Sequence, residues 1–156
     1  MPPRFVHTNL IAEDWRRLVR FYERVFACTP VPPERALSGK WLEDGTGVRE
    51  AEIRGMHLRL PGWGSEGPTL EILEYNHHEQ RPETAANRPG LGHHAFAVDD
   101  VRAARERVIA AGGGVVGDVV TTEIPGAGTI TFAYVTDPEG NIIELQRWSR
   151  GEETSP

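Results

Sequence analysis

Cysteine is almost absent from this sequence, and long apolar runs are missing. Cys28 is the one cysteine among 156 residues, which excludes a disulfide within the chain and a cysteine-rich zinc site. No apolar run approaches the ~20 residues of a membrane-spanning helix. The opening segment MPPRFVHTN also lacks the apolar core of a signal peptide. We therefore expect a cytoplasmic protein with no membrane partner.

Positive charge is also scarce. Lysine and arginine together number 17, against 23 aspartate and glutamate residues, so the net charge is −6. This balance argues against partners that carry dense negative charge, such as nucleic acids and anionic membranes. The hydrophobic fraction of 38% is ordinary for a globular protein. The length fits one domain, and we expect a single domain over residues 1–156.

The first half of the chain predicts one helix and several short strands. FVHTNLIA (Phe5–Ala12) is typical of a strand, and EDWRRLVRFYERVF of an amphipathic helix with Asp14 or Glu13 at its N-terminus. The apolar residues of this helix recur at helical spacing: Trp15, Leu18, Val19, Tyr22 and Phe26. Three strand candidates follow, one around Arg35–Leu42, then VREAEIRGMHLRL, then PTLEILEYN.

The same order of elements returns in the second half. HHAFAV predicts a strand, and DDVRAARERVIAAGG predicts a helix closed by glycine. GVVGDVVTTEI, GTITFAYVTDP and NIIELQRW predict three more strands, with DPEGN as the turn before the last. Each half reads β-α-β-β-β, which is an internal repeat. We place the first module at about residues 4–79, a polar linker at about 80–90 and the second module at about 91–149.

The repeat distinguishes the adjacent histidines His93 and His94. Neighbouring side chains of a strand point to opposite faces, so only one of the two readily faces a given site. Pairing His7 with His93 places Asp14 on Asp100 and most apolar helix positions on apolar ones, with Val19 on Arg105 as the exception. Pairing His7 with His94 instead places apolar positions of the first helix on charged positions of the second. We therefore predict that His93 is the counterpart of His7 and that His94 faces the helix layer.

The last strand of each half carries a matching glutamate. LEILEY lies over IELQRW in the repeat, so Glu71 falls on Glu144. Glu71 and Glu74 are predicted to lie on opposite faces of their strand. Each half therefore matches a histidine of its first strand with a glutamate of its last strand: His7 with Glu71, and His93 with Glu144.

Two imidazoles and two carboxylates that converge make a site for a divalent transition metal. Imidazole suits Zn, Ni, Co, Mn or Fe, and carboxylates suit the harder members of that set. Taken singly, each of these residues is more often an ordinary strand residue. Their equivalent places in a repeat favour the metal interpretation, because charged side chains on inward strand faces need a partner.

At these residues the sequence resembles the vicinal oxygen chelate superfamily. That superfamily includes glyoxalase I, methylmalonyl-CoA epimerase, extradiol dioxygenases and fosfomycin- and bleomycin-resistance proteins. The resemblance is carried by VHTNLIAEDWRRLVRFYERVF, LEILEY, GHHAFAVDDV and DPEGNIIELQ, and in type it is closest to glyoxalase I-like metalloenzymes. On the common opening Gly-His-Ile-Ala-Phe-x-Val-Asp-Asp, the metal histidine falls on His93, and His94 occupies the isoleucine position.

The resemblance implies an α+β fold in which two βαβββ modules, each with a curved four-stranded sheet, surround a metal-binding cleft. The implied metal ligands are His7, Glu71, His93 and Glu144. Glu144 and Glu71 are also the implied catalytic bases, with Glu144 as the first choice. The implied cofactor is a divalent transition metal (Zn, Ni, Co, Mn or Fe). A small-molecule substrate and a homodimer are also implied, with the cleft inside one chain or shared between two.

Three functions are open at this point. The first is a lyase or isomerase of the lactoylglutathione lyase type, in which the metal binds two neighbouring oxygens and a carboxylate moves a proton next to a carbonyl. The second is an extradiol-type dioxygenase with iron on His7, His93 and Glu144, against which Glu71 argues as a fourth ligand. The third is a non-catalytic binding or resistance protein, a class that lacks the ligands this chain keeps.

The remaining histidines carry weaker signals. His57, in GMHLRL, lies on a predicted strand of the first half, and we expect an ordinary strand residue there. His77 and His78, in EYNHHEQ, are expected to lie in a solvated loop. Arg54, Arg59 and Lys40 are candidates for binding a substrate carboxylate or phosphate, although a solvated charge at a strand edge is the commoner role of such residues.

Overall fold

The computed structural model describes residues 1–149, which divide into two compact units, Met1–Pro82 and a second that begins at Glu83. The first unit contains β1 (His7–Ile11), α1 (Trp15–Phe26), β2 (Thr29–Ser38), α2 (Lys40–Thr46), β3 (Glu52–Arg59) and β4 (Thr69–Tyr75). The second contains β5 (His94–Ala97), α3 (Val101–Ala110), β6 (Gly114–Val115), β7 (Val120–Ile124), β8 (Gly128–Thr136) and β9 (Ile142–Ser149). The predicted α+β class is confirmed, and the single domain stays a prediction.

The two longer helices begin where the sequence predicts. Asp14 is the N-cap of α1, and its Oδ1 accepts a hydrogen bond from the Arg17 backbone N–H at 2.9 Å. Asp100 caps α3 in the same way, accepting from the Ala103 N–H at 3.0 Å. Each cap satisfies an N–H that has no partner inside its helix, and the two caps confirm the predicted register of the repeat. No helix within residues 1–149 is long and apolar enough to cross a membrane; the cytoplasmic location stays a prediction.

The sheet of the first unit has four strands in the order β1-β4-β3-β2. β1 runs parallel to β4, and the other neighbours are antiparallel. Leu70 and Ile72, two residues apart on β4, are almost fully buried on the side of α1, as are Leu18 and Tyr22 of that helix. Each such side chain contributes about 1.5–3 kcal/mol by leaving water. This packing leaves the opposite face of the sheet available for polar residues.

The short helix α2 replaces part of the strand predicted around Arg35–Leu42, and that part of the prediction is wrong. β2 ends at Ser38 and begins earlier than predicted, and its prolines are tolerated because it lies at the edge of the sheet. Leu42 of α2 packs into a small buried cluster that also contains Ala51, Ile53 and Leu73. Gly47 ends the helix in the left-handed conformation, with φ of 72°.

The sheet of the second unit follows the same plan with one difference. Its order is β5-β9-β8, with β5 parallel to β9, and both β6 and β7 pair with β8. The segment GVVGDVVTTEI, predicted as one strand, is therefore two, and the sheet has five strands instead of four. The break occurs where the N–H groups of Val116 and Gly117 both donate to the Tyr134 carbonyl oxygen, at 3.1 and 3.2 Å. Two consecutive donors to one acceptor cannot continue a regular ladder.

The predicted turn DPEGN fixes the start of β9. Asp137, 1% exposed, accepts hydrogen bonds from the backbone N–H groups of Glu139 and Asn141 at 2.9 and 3.0 Å. Its second oxygen accepts from the Asn141 amide at 2.7 Å. A buried carboxylate with several donors is stable where an unpaired one is not. The turn thereby sets which residues of β9 face each side of the sheet, Glu144 among them.

Candidate active site

The first unit brings His7 and Glu71 into contact. His7 begins β1, and Asn9, two residues on, lies beside Glu71 in the parallel ladder. His7 Nε2 lies 3.5 Å from Glu71 Oε2. Glu74 lies on the other face, as predicted, where its Oε2 accepts a hydrogen bond from the Trp15 N–H at the start of α1, at 3.2 Å. The His7–Glu71 pair therefore occupies the sheet face that α1 leaves open.

A third side chain, His57, joins this pair, and it is not the ordinary strand residue that we expected. His57 lies on β3 directly opposite Glu71. Its Nε2 is 3.0 Å from Glu71 Oε1, and its Nδ1 is 2.9 Å from Thr69 Oγ1. The His57 and His7 rings meet edge to face, with centroids 5.4 Å apart. Burial lowers the pKa of His57 below its usual value, opposed in part by the Glu71 carboxylate, so the ring is neutral at pH 7.

The second unit holds the equivalent pair, His93 and Glu144. His93 directly precedes β5, and its Nε2 lies 2.9 Å from Glu144 Oε2. On β8, the residue opposite Glu144 is Tyr134, whose ring centroid lies 4.8 Å from that of His93. Within residues 1–149, Glu144 Oε1 has no hydrogen-bond or ion-pair partner. The two units thus share the His–Glu pair and differ in the residue that faces the glutamate.

The neighbouring His94 points to the other side of β5, which confirms the prediction for this residue. Its partner in the ladder is the fully buried Ile143, and its ring packs edge to face against Phe96 with centroids 5.8 Å apart. Burial lowers the pKa of His94 to about 4, although the Asp137 carboxylate acts in the opposite direction. His94 is therefore a neutral, half-buried side chain on the same side of the sheet as Ile143 at pH 7.

The donor types in both pairs fit a divalent transition metal. Neutral imidazole nitrogen and carboxylate oxygen are ligands that Zn, Ni, Co, Mn and Fe accept together. In each pair an imidazole Nε2 and a carboxylate oxygen lie close together, at 3.5 Å in the first unit and 2.9 Å in the second. Among the described residues, no group of three or more His, Cys, Asp or Glu side chains is arranged to hold a metal ion. Each unit therefore provides one His–Glu pair as possible metal ligands.

A cavity of about 300 Å³ lies beside His57 in the first unit. Arg59, one of the candidate anion-binding residues, lines this cavity together with Arg4, His57 and Thr69. Arg59 Nη1 also donates to the Gly67 carbonyl at 3.3 Å, which holds it against the β3–β4 loop. His77 and His78 are exposed after β4, as predicted.

A comparison with known families decides what kind of protein carries these pairs. A sequence model of the Glyoxalase/Bleomycin resistance protein/Dioxygenase superfamily matches residues 4–145. The chain belongs to this superfamily. Glyoxalase-superfamily members generally use a divalent metal ion, in agreement with the donor types of the two pairs. The predicted resemblance is confirmed.

Two relatives with similar sequences carry the same name. A probable lactoylglutathione lyase of Vibrio parahaemolyticus is 30% identical over 144 residues, covering 91% of this chain and 88% of the relative. A probable lactoylglutathione lyase of Vibrio cholerae is 31% identical over 147 residues, with the same coverage. A lyase is therefore the enzyme class that these relatives suggest.

Several solved structures share the fold of this chain. A glyoxalase family protein of Bacillus cereus gives a TM-score of 0.78 at 18% identity and covers 97% of both chains. A fosfomycin resistance protein of Listeria monocytogenes gives a TM-score of 0.60, also at 18% identity, over 96% of both chains. At this identity the likeness establishes the architecture and leaves the reaction to the site.

Proposed function

We propose that the protein is a metal-dependent lyase or isomerase of the lactoylglutathione lyase type. The observation that carries the proposal is the repeated pair: both units place a histidine against a glutamate at equivalent positions, 3.5 Å apart in one and 2.9 Å in the other. A single pair of this kind is a common structural contact. Two equivalent pairs in a protein of this superfamily support a shared role.

The four side chains of these pairs are the ligands in this proposal. His7, Glu71, His93 and Glu144 hold one divalent transition metal ion, which is Zn, Ni, Co, Mn or Fe. When bound, the ion supplies a Lewis acid for two neighbouring oxygens of a small substrate and stabilises the negative charge that develops there.

The carboxylates do the proton transfer. Glu144 and Glu71 lie on the faces that carry the histidines, and either can take a proton from a carbon next to a carbonyl. Glu144 is the first choice because one of its oxygens already contacts His93, while Oε1 has no partner within residues 1–149. Return of the same proton to the neighbouring carbon completes an isomerisation with no other reactant.

A homodimer is part of the proposal, because members of the superfamily build the site either within one chain or from two. Mixing His7→Ala with His93→Ala protein distinguishes these arrangements. If two chains share each site, random subunit exchange restores about a quarter of the wild-type sites, since one site of each mixed dimer is intact. If each site lies in one chain, mixing restores none.

The reaction is tested with three substrate mixtures on metal-loaded protein. We expect turnover of the hemithioacetal formed from methylglyoxal and glutathione, or epimerisation of a 2-methyl-branched acyl-CoA, with loss of activity after chelation. Cleavage of a catechol by the Fe(II) form would contradict the lyase and support a dioxygenase. Inactivity in all three assays, together with no bound metal, would overturn the enzyme and support a binding protein.

A further inference from the structure

The residue that faces the glutamate differs between the two units. On β3, His57 lies opposite Glu71, and on β8, Tyr134 lies opposite Glu144. Directly opposed residues of antiparallel strands are the closest side-chain neighbours in a sheet. A histidine can hydrogen-bond a carboxylate through one ring nitrogen and a second partner through the other, whereas a tyrosine has a single phenolic oxygen for both.

His57 uses both ring nitrogens. A carboxylate only accepts hydrogen bonds, so at 3.0 Å His57 Nε2 carries the proton and donates to Glu71 Oε1. His57 Nδ1 then accepts from the Thr69 hydroxyl at 2.9 Å. In this tautomer Thr69 donates to His57, and His57 donates to Glu71.

The surroundings of His57 hold its ring in place. The His7 ring packs on it edge to face at 5.4 Å. A ring fixed by packing and by two hydrogen bonds transmits its orientation to the carboxylate that it contacts.

We propose that His57 is a positioning residue: it holds one oxygen of Glu71 so that the other faces His7. The proposal rests on the proposed function, in which Glu71 and His7 are metal ligands. Glu71 Oε1 is held by His57, and Glu71 Oε2 lies toward His7 Nε2, at 3.5 Å. The side chain of Glu71 is therefore restricted in rotation before a metal binds. This restriction reduces the conformational entropy that is lost on binding.

The test compares metal affinity in four variants, measured by competition for Zn²⁺ with a colorimetric chelator. His57→Leu removes the donor, and we expect a loss of about 10–100-fold in affinity with one ion still bound. His57→Gln keeps an N–H near the position of Nε2 and should recover most of that loss, and Thr69→Val should lie between. His78→Gln is the matched control on an exposed histidine and should equal the wild type.

Two outcomes would overturn this role of His57. Unchanged Zn²⁺ affinity in His57→Leu would show that Glu71 needs no support. Complete metal loss in both His57→Leu and His57→Gln, matching His7→Ala, would make His57 a ligand instead of a positioning residue. Circular dichroism of each variant shows whether it is folded, and a folded His57→Gln suffices for the comparison.

A second readout does not depend on metal. In the metal-free wild type, ¹⁵N NMR of the imidazoles should show His57 as the Nε2–H tautomer, whose signature Glu71→Gln perturbs. An Nδ1–H tautomer would contradict the hydrogen-bond chain. If the wild type bound no metal while the Nε2–H tautomer was present, the proposed function would be wrong. The hydrogen bonds from Thr69 through His57 to Glu71 would still be supported.

Discussion

The two sheets of this protein follow one plan and present different surfaces. On the face that carries the His–Glu pair, the first unit has a second imidazole, His57, opposite its glutamate, whereas the second unit has the phenol ring of Tyr134. One residue pair further along, Gly55 of the first unit corresponds to Phe132 of the second. The repeat thus keeps the pair and varies its neighbours, which assigns the two glutamates different surroundings and, in our proposal, different tasks.

The largest effect should come from exchanging the two glutamates for glutamine. Glu144→Gln should lower kcat about 1000-fold on the hemithioacetal of methylglyoxal and glutathione, because the amide cannot accept the substrate proton. Glu71→Gln should act mainly on Zn²⁺ affinity and lower kcat at saturating metal only about tenfold. Steady-state kinetics beside metal titration separates the two effects. Equal kcat losses would show that the two carboxylates share one task.

His94 should make the stability of the protein depend on pH. Folded His94 stays neutral down to about pH 4 because burial lowers its pKa, whereas the unfolded chain binds that proton below a pKa of 6.5. Between these values the unfolded state binds more protons, so the free energy of unfolding falls as the pH falls. The loss reaches about 3 kcal/mol near pH 4.

Urea unfolding of metal-free protein at pH 7 and pH 4.5 measures this loss. His94→Ile removes the titrating group, and we expect a smaller difference between the two pH values in this variant than in the wild type. An identical difference in both proteins would show that His94 is not the group that titrates.

Gly55 and Phe132 provide a smaller contrast in packing. A Cβ on Gly55 would lie 2.0 Å from the Ile72 carbonyl oxygen and 2.7 Å from Leu73 Cδ2. Gly55→Ala should therefore cost about 2 kcal/mol of unfolding free energy. Gly45→Ala, where a Cβ meets nothing within 4 Å, is the matched control and should not destabilise the protein. Thermal melts of the two variants check this, and equal melting temperatures would contradict the close approach.

The smallest difference between the two units should be in the free energy that each helix cap contributes, because both helices are capped in the same way. Asp14→Ala and Asp100→Ala each remove the acceptor of one backbone N–H, at 2.9 and 3.0 Å. Each should cost about 1 kcal/mol, as determined by chemical denaturation. A cost in one variant and none in the other would show that the caps are not equivalent and would weaken the register that pairs His7 with His93.

Much of the fold could be predicted from the sequence because its signals are local or repeated. The capping aspartates, the 3.6-residue periodicity of α1 and the turn DPEGN each involve only a few neighbouring residues, and all three are present. The repeat also identifies equivalent residues that are far apart in the sequence, because it aligns His93 with His7 and Glu144 with Glu71.

The elements that could not be predicted depend on distant contacts. The helix α2 has only seven residues, Lys40–Thr46, which are too few to show a helical periodicity in the sequence. It forms where Leu42 packs against Ile53 and Leu73. His57 meets Glu71 only because the β3–β4 loop has the length that places them opposite each other. A one-residue change in that register would turn His57 to the other face, and the residue types of the two strands do not indicate which register forms.

The central claim is that one metal ion uses an equivalent pair from each half of the repeat. Elemental analysis of protein purified without added metal, compared for wild type, His7→Ala, His93→Ala and His94→Ala, tests it most directly. We expect bound divalent metal in the wild type and in His94→Ala, and its loss in both His7→Ala and His93→Ala. Loss of metal in His94→Ala with retention in His93→Ala would contradict the account.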